Sequence, residues 1–449
     1  NGATHAFIGG TTAAERNVIS GNGTGPAPLG AGAHGISLIG GGTTANRVFG
    51  NYIGTDPAGT SALPNSGDGI EVYGGASNNV IGGITAAARN VISGNGWTGI
   101  AIFGSGTISN TVLGNYIGLD ATGTQSLGHV NGTGVYIGAG ATTNTVGGTV
   151  SGARNFISGN TGWAGVAIDG TSGNVIVGNY IGTDNNAAAS FGNLVGVRIY
   201  NGASGNTIGG TVTGEGNLIV YSTQAGVEVV DGSNNAILSN SIHSNSGLGI
   251  DLGGDGVTPN RVPAHPIPEL YPPTPVPNNN AENYPLLYVA IPDSSIISGS
   301  IVSWPNTLLR IEFFLNGVAD PSGYGQGETF LGFTNVTTDG LGSAVFSFNS
   351  SLPFHDGRYV TATATDFANN TSEFSPDLIV GTKTKIYGEH YVVNTTFSGI
   401  PLHWAGGKGS YRISTTYLPV GFEAEIDLAF ANWSALPQVE YTSGGTTTS

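Results

Sequence analysis

Short runs of alternating apolar and other residues recur through the first half of the chain, and each run starts at a glycine. They read Gly-Ile/Val-x-Ile/Leu/Val, and alternation with a period of two predicts half-buried β-strands. Their first residues are Gly35, Gly69, Gly99, Gly134, Gly165, Gly196, Gly226 and Gly249. A period of about 30–35 residues predicts a solenoid, in which each repeat buries its apolar face against its neighbours.

Two further phrases, NVISGN or NFISGN and GNYIG, complete the repeats with asparagines and glycines that suit tight corners. The first begins at Asn17, Asn90 and Asn155, and the second begins at Gly50, Gly114 and Gly178. Three short strands per turn predict a mostly β fold, a right-handed parallel β-helix of about eight coils over residues 1–256. Asp56, Asp120 and Asp184 recur with the second phrase and are predicted to cap turns.

The same alignment predicts what the coils share. One apolar position per coil is expected to form an inward stack, made of Ile36, Ile70, Ile100, Val135, Val166, Val197, Val227 and Ile250. One corner is expected to carry a ladder of paired side-chain amides, made of Asn46, Asn79, Asn110, Asn144, Asn174, Asn206 and Asn235.

The NVISGN, GNYIG and IGG phrases resemble the repeat of large secreted bacterial β-helix proteins. The resemblance covers about residues 1–256. It implies a spacer or surface scaffold and no particular reaction.

Composition agrees with an extracellular location. Only 9% of the residues are charged and the formal net charge is −16, which argues against nucleic acid as a partner. The chain has no cysteine, so disulfides and thiolate metal sites are excluded. No apolar run reaches the roughly 18 residues of a membrane span.

The first residues align with the middle of a later coil, since residues 2–10 match residues 75–83. The chain therefore opens inside a coil and presents a strand edge that is ready to pair. Either upstream coils are missing or another subunit covers this end. The second case predicts end-to-end assembly of the protein with itself.

Outward positions of the alternating runs offer candidate chemistry. Arg198, Glu228 and Asp251 fall on consecutive coils, where two carboxylates about 5 Å apart would suit a retaining glycosidase. With the arginine they would also suit calcium-assisted proton abstraction from an acidic sugar. The alternative, which we favour, is a surface ion-pair ladder. A row of aromatic side chains on the same face could contact glycans or a neighbouring chain, or pack under a loop. It contains Tyr73, Phe103, Tyr136 and Tyr200.

A proline-rich linker is predicted over residues 257–281, followed by a β-sandwich over residues 282–381. The expected strands are Ile296–Val302, Leu309–Leu315, Thr329–Thr334, Ala344–Phe348 and Arg358–Thr365. The stretches IEFFLNG and YVTATATDFANNTSEFS resemble immunoglobulin-like domains that follow such β-helices. Loop carboxylates, Asp320, Asp339 and Asp366 above all, could hold calcium, although solvated loops are the simpler interpretation.

Residues 382–449 form a last segment, predicted to be small and α+β. A short strand around Tyr411–Ile413 and helical spacing from Gly421 to Trp433 resemble the start of a matrixin-like zinc metalloprotease domain. The His-Glu-x-x-His motif that would carry the chemistry is absent from this sequence, so no zinc site is carried over.

Asn-x-Ser/Thr sites could carry glycans in a glycosylating host. They begin at Asn22, Asn131, Asn335, Asn349, Asn369, Asn370, Asn394 and Asn432. Two classes of function remain. We favour an extracellular structural protein, a cell-surface or filament subunit. The alternatives are the non-catalytic part of a secreted metalloprotease and a polysaccharide-binding or polysaccharide-cleaving β-helix.

Overall fold

The computed structural model describes residues 2–23, 33–129, 131–261, 278–292 and 295–381, together with the backbone of 410–414 and 442–447. The chain divides into two compact units, residues 1–380 and residues 381–449. Among the described residues, no helix is both long and apolar enough to cross a membrane.

Three parallel sheets of eight strands each form the first part of unit 1. In sheet 1 the strands are Ile36–Ile39, Ile70–Tyr73, Ile100–Phe103, Val135–Gly138, Ala164–Asp169, Val195–Tyr200, Val227–Val229 and Ile250–Leu252. In sheet 2 they are Phe7–Gly9, Arg47–Phe49, Val80–Gly82, Thr111–Leu113, Thr145–Gly147, Val175–Val177, Thr207–Gly209 and Ala236–Leu238. In sheet 3 they are Val18–Ile19, Tyr52–Ile53, Val91–Ile92, Tyr116–Ile117, Phe156–Ile157, Tyr180–Ile181, Leu218–Val220 and Ser241–His243.

Each coil contributes one strand to each sheet, so the chain winds as a parallel β-helix and the predicted solenoid is confirmed. The core lies inside the coil, and the predicted inward stack from Ile36 to Ile250 belongs to it. Most of these side chains are fully buried. Parallel pairing also explains the short strands, because a coil must turn three corners within one repeat. The right hand of the coil stays a prediction.

Three ladders of polar side chains run along the corners, where the sequence predicted one, and they are buried except at Asn17 and Asn22 of the first coil. The first asparagine ladder is the predicted one, from Asn46 to Asn235. The second asparagine ladder contains Asn17, Asn51, Asn90, Asn115, Asn155, Asn179, Asn217 and Asn240. The third ladder contains Asn22, Asn65, Asn95, His129, Asn160, Asn193, Ser222 and Asn245. Its side-chain bonds are interrupted at Ser222, whose Oγ is buried without a hydrogen-bond partner.

One rung shows why these amides tolerate burial. The Oδ1 atom of Asn110 accepts bonds from both the backbone N–H and the Nδ2 of Asn79, at 3.0 and 2.9 Å. The Nδ2 of Asn110 donates in turn to Ala76 O and to Asn144 Oδ1. At this rung, donors and acceptors are therefore matched between coils without water.

The predicted turn caps are confirmed. Asp56, Asp120 and Asp184 each accept two backbone N–H bonds from residues four and five positions later. Short 3₁₀ turns occur at Ala86–Ala88, Ser151–Ala153 and Asn279–Ala281.

An antiparallel sandwich completes unit 1. Its three-stranded sheet has the order Leu286–Ile291, Ile296–Val302 and Ser343–Asn349. Its four-stranded sheet has the order Thr329–Thr337, Leu308–Asn316, Tyr359–Asp366 and Leu378–Ile379. Phe313 of one sheet stacks on Phe348 of the other, with ring centroids 4.5 Å apart. All five predicted strands are present, with ends within three residues of the expected ones.

Unit 2 is described only as a strand pair. Ser410–Ser414 pairs in parallel with Thr442–Thr447, and the first of these strands includes the predicted Tyr411–Ile413. The predicted helix and the residues 262–277 of the predicted linker lie outside the described residues.

Candidate functional site

The outward face of sheet 1 places the candidate ion-pair residues in one column. Arg198 lies opposite Glu228, and Glu228 lies opposite Asp251, each pair on adjacent parallel strands. The Nε of Arg198 is 2.9 Å from Oε2 of Glu228. The N–H is not aimed at that oxygen, so the contact is an ion pair rather than a linear hydrogen bond.

The surroundings of Arg198 favour the ion-pair interpretation over an acid-base pair. Its guanidinium lies over the ring of Trp163, 4.3 Å from the centroid, which holds it in place. The side chain of Glu228 is only 9% exposed, so little of its carboxylate can reach a substrate. Burial raises the pKa of Glu228, the charge of Arg198 opposes that shift, and Asp251 adds to it. Burial likewise raises the pKa of Asp251.

The aromatic row divides into two parts. Tyr73 and Phe103 stack face to face on adjacent coils, 5.1 Å apart, and both are half-buried. Tyr136 and Tyr200 instead pack on small buried residues of sheet 1. The hydroxyl of Tyr136 donates to Asp169 Oδ2 at 2.7 Å, and burial raises the pKa of Tyr200 to about 12. Packing thus accounts for the second pair, while the first leaves part of its rings open.

A histidine and two carboxylates meet at the start of the same sheet, and sequence reasoning missed this cluster. The Nδ1 of His34 is 3.4 Å from Oδ2 of Asp68, and its Nε2 is 3.7 Å from Oε1 of Glu71. The carboxylate of Asp68, close to the ring, raises the pKa of His34 against the effect of burial, and the charge of Glu71 adds to this. Burial raises the pKa of Glu71. Within the described part of the chain, this is the one group of three such side chains that could hold a metal ion.

That cluster had a signal in the sequence. His34 and Asp68 each immediately precede a Gly-Ile run, so the repeat alignment places them on adjacent coils. Glu71 stands in the outward position of the second run. The signal was missed because only positions inside the runs were compared.

The sandwich closes the far end of the β-helix, which the predicted extended linker did not lead us to expect. Phe314 and Phe374 of the sandwich join the apolar core of the coils. Ile242 of sheet 3 and Gly327 exchange two backbone hydrogen bonds in an antiparallel bridge, at the edge where a further coil would have paired in parallel. The last coil therefore lacks the open edge that a solenoid end would otherwise present.

Polar side chains extend the ladders into this cap. Asn279 accepts from the backbone N–H of Asn235, and Gln326 accepts from the N–H and Nδ2 of Asn245. Glu312, fully buried, accepts from the backbone N–H and hydroxyl of Ser239. These residues reproduce the acceptors that the next asparagines would have supplied.

The calcium candidates lie on three separate turns. Asp339 and Asp366 accept backbone N–H bonds that close their own turns. Asp320 accepts from Ser322 and from Gln326 Nε2. Calcium binding at these carboxylates stays a prediction.

The glycosylation candidates differ in access. The exposed ones in the described part are Asn22, Asn131, Asn335, Asn349 and Asn369. Asn370 is buried, and its amide atoms bond to Asp366 and to the backbone of Asn234, so it does not fit a glycan. The Nδ2 of Asn22 donates within the third ladder. Asn394 and Asn432 lie outside the described residues.

The fold defines the class of protein, a parallel β-helix joined to an antiparallel sandwich. Comparison with protein-family models found no match, and comparison with curated proteins found none.

Proposed function

We propose that this chain is an extracellular structural protein, a cell-surface or filament subunit whose β-helix pairs end to end with a second copy. The continuous core, the matched ladders and the low charge all support a rigid rod. The ion pair of Arg198 and Glu228, mostly buried and packed on Trp163, supports the same class rather than an enzyme.

The observation that carries this proposal is the position of the strand Phe7–Gly9 at the edge of sheet 2 among the described residues. The strand pairs with Arg47–Phe49 on one side and with no other strand among the described residues. Ala6 O accepts from Arg47 N, and because the two ends of a trans peptide point in opposite directions, the N–H of Phe7 faces away from that coil. Phe7 is 68% exposed and Val18 is 43% exposed.

The cap restricts how copies can meet. Because the sandwich covers the last coil, pairing through first coils is head to head, and the same surface is used by both partners. Such an isologous contact closes as a dimer. A longer filament would need a second contact elsewhere on the molecule.

Sedimentation velocity over a range of protein concentrations tests the contact. The wild-type chain is expected to form a concentration-dependent dimer. Phe7→Pro removes the outward N–H without removing a bond of the coil, so it should be monomeric. Phe7→Thr keeps that N–H and serves as the control. A monomeric wild type, or a Phe7→Pro variant that dimerises as well as the wild type, refutes the proposal.

A second candidate function is glycan binding on the outward face of sheet 1. Trp163 is 38% exposed and Tyr73 and Phe103 present a stacked pair, which are surfaces suited to sugar rings. Titration of acidic polysaccharides into the wild type and into Trp163→Ala tests glycan binding. Equal binding by the two proteins, or no binding by either, refutes this function. If Glu228→Gln leaves polysaccharide cleavage unchanged, or if the wild type shows no cleavage, the hypothesis of a polysaccharide-cleaving enzyme is refuted.

The finer domain assignments are also proposals. In the sandwich the second strand pairs with the first and fifth, and the third pairs with the fourth and sixth. Pairings of this kind support an immunoglobulin-like domain. In unit 2, parallel strands separated by a long connection support the matrixin-like segment, since such strands need a crossover. Peptide mapping for a His-Glu-x-x-His peptide in the native protein tests whether a protease domain follows.

A further inference from the structure

The cluster of His34, Asp68 and Glu71 takes no part in the proposed function. The three residues lie on two adjacent coils, where strand Ile36–Ile39 pairs with strand Ile70–Tyr73. The side chain of His34 is 11% exposed, and those of Asp68 and Glu71 are 0% and 4% exposed. The site therefore sits close beneath the surface of sheet 1 and could exchange an ion with solvent.

One atom of the cluster is left without a partner. Asp68 Oδ1 accepts from the backbone N–H of Thr98, but Oδ2 is buried and has no hydrogen bond. Its nearest polar neighbour is Nδ1 of His34, which already accepts the N–H of Asp68 at 3.1 Å. A ring nitrogen that carries no hydrogen and a carboxylate oxygen that has no donor thus lie 3.4 Å apart, an arrangement that a cation bound between them would stabilise.

We propose that His34, Asp68 and Glu71 bind a divalent transition-metal ion, for which Zn²⁺ is the natural probe. One imidazole nitrogen and two carboxylates are ligands that Zn²⁺ accepts. Two ligand atoms each about 2.1 Å from a tetrahedral ion lie about 3.4 Å apart. The 3.4 Å between Nδ1 of His34 and Oδ2 of Asp68 matches this value, and one ligand atom from each of the three residues lies within 4.8 Å of the other two.

The neighbours of the cluster fit a metal site. Ser37 Oγ lies 3.5 Å from Glu71 Oε2 and can orient that carboxylate from the facing strand. The bond from Thr98 orients Asp68 from the following coil. A bound ion would therefore join two adjacent coils through ligands that a third coil helps to orient.

The experiment is calorimetric titration of Zn²⁺ into metal-free, tag-free protein, followed by Co²⁺ substitution and visible absorption spectroscopy. We expect one saturable site, a d–d spectrum of low coordination number and a zinc-dependent rise in Tm. His34→Asn and Glu71→Gln should each weaken binding by at least about tenfold. His5→Asn replaces an exposed imidazole elsewhere and should leave binding unchanged.

Histidine-selective NMR distinguishes a metal ion bound to the His34 ring from a proton bound there. With Zn²⁺ bound, the signal of one ring nitrogen of His34 should shift at a pH where the ring is otherwise neutral. If the ring is protonated and Zn²⁺ has no saturable effect, the cation is a proton and the proposal is wrong. Binding that is retained in both His34→Asn and Glu71→Gln also overturns it.

Discussion

Replacing His129 by asparagine should remove a specific acid sensitivity of the β-helix. His129 stands in the third ladder where neighbouring coils carry asparagine, and its Nδ1 accepts from the backbone N–H of Asn95. Its Nε2 is buried without a partner. Complete burial lowers the pKa of His129 from 6.5 to about 3.

The direction in which stability changes with pH follows from the lowered pKa of His129. The unfolded chain takes up a proton at this residue below about pH 6.5, whereas the folded chain does not until about pH 3. The full stability is therefore present above pH 6.5 and is lost progressively as the pH falls toward 3. The loss is about 1.4 kcal/mol per pH unit, or roughly 2.7 kcal/mol between pH 6.5 and 4.5.

At neutral pH the effect of His129→Asn is a small difference between opposing terms. The smaller side chain leaves a void of about 40 Å³, which costs about 1 kcal/mol. Against this, an asparagine can donate to Asn160 Oδ1 as other rungs do, and the unpaired Nε2 disappears. We expect the two proteins to differ by about 1 kcal/mol or less at pH 7.5. By pH 4.5 the free energy of unfolding of the variant should have risen by about 2–3 kcal/mol relative to that of the wild type.

Urea unfolding followed by tryptophan fluorescence, repeated at several pH values, measures this difference. The control is His355→Asn, which removes an imidazole from an exposed position and should track the wild type. Parallel pH profiles for the wild type and His129→Asn would refute the reasoning. So would an NMR titration in which the His129 ring ionises near pH 6.

Two further predictions concern the other buried polar groups. Asn110→Ala deletes four hydrogen bonds of the first ladder and should cost about 3–5 kcal/mol in urea unfolding. Asn335→Ala, at an exposed strand position, should cost little. A cost below about 1 kcal/mol for Asn110→Ala would contradict the ladder argument. Burial raises the pKa of Glu282 from 4.5 to about 8, so its contribution is full below pH 4.5 and is lost as the pH rises through 8. Glu282→Gln keeps an acceptor for Ser303, so its stability relative to the wild type should rise from pH 5 to pH 8. A difference in unfolding midpoint between the two proteins that does not change with pH would contradict this.

Much of the rod could be predicted because its contacts repeat. A residue of one coil meets its counterpart about 30 residues later, so an alignment of repeats is also a map of contacts. That is why the inward stack from Ile36 to Ile250 and the first ladder were confirmed residue by residue. The second and third ladders were visible in the same way, in Asn17 and Asn22 of NVISGN, but those asparagines were interpreted only as corner residues.

Side-chain chemistry was harder to predict than the backbone. The sequence places Arg198, Glu228 and Asp251 in one column but does not show that Trp163 and burial restrain them. It also does not show that Asp68 Oδ2 lacks a donor, because that depends on where His34 and Thr98 point. Orientation and burial are set by packing around each group, and packing is not periodic in this chain.

The amino-acid sequence alone determined the coil, since a regular repeat of apolar and amide positions can satisfy its burial and hydrogen bonding only by stacking on itself. The tertiary structure decided where the stack ends. Glu312, Gln326 and Glu373 bond to residues of the last coil that are more than 70 positions away along the chain. No sequence repeat predicts these contacts. Such contacts depend on how two differently built folds meet, and that meeting leaves no periodic pattern in the sequence.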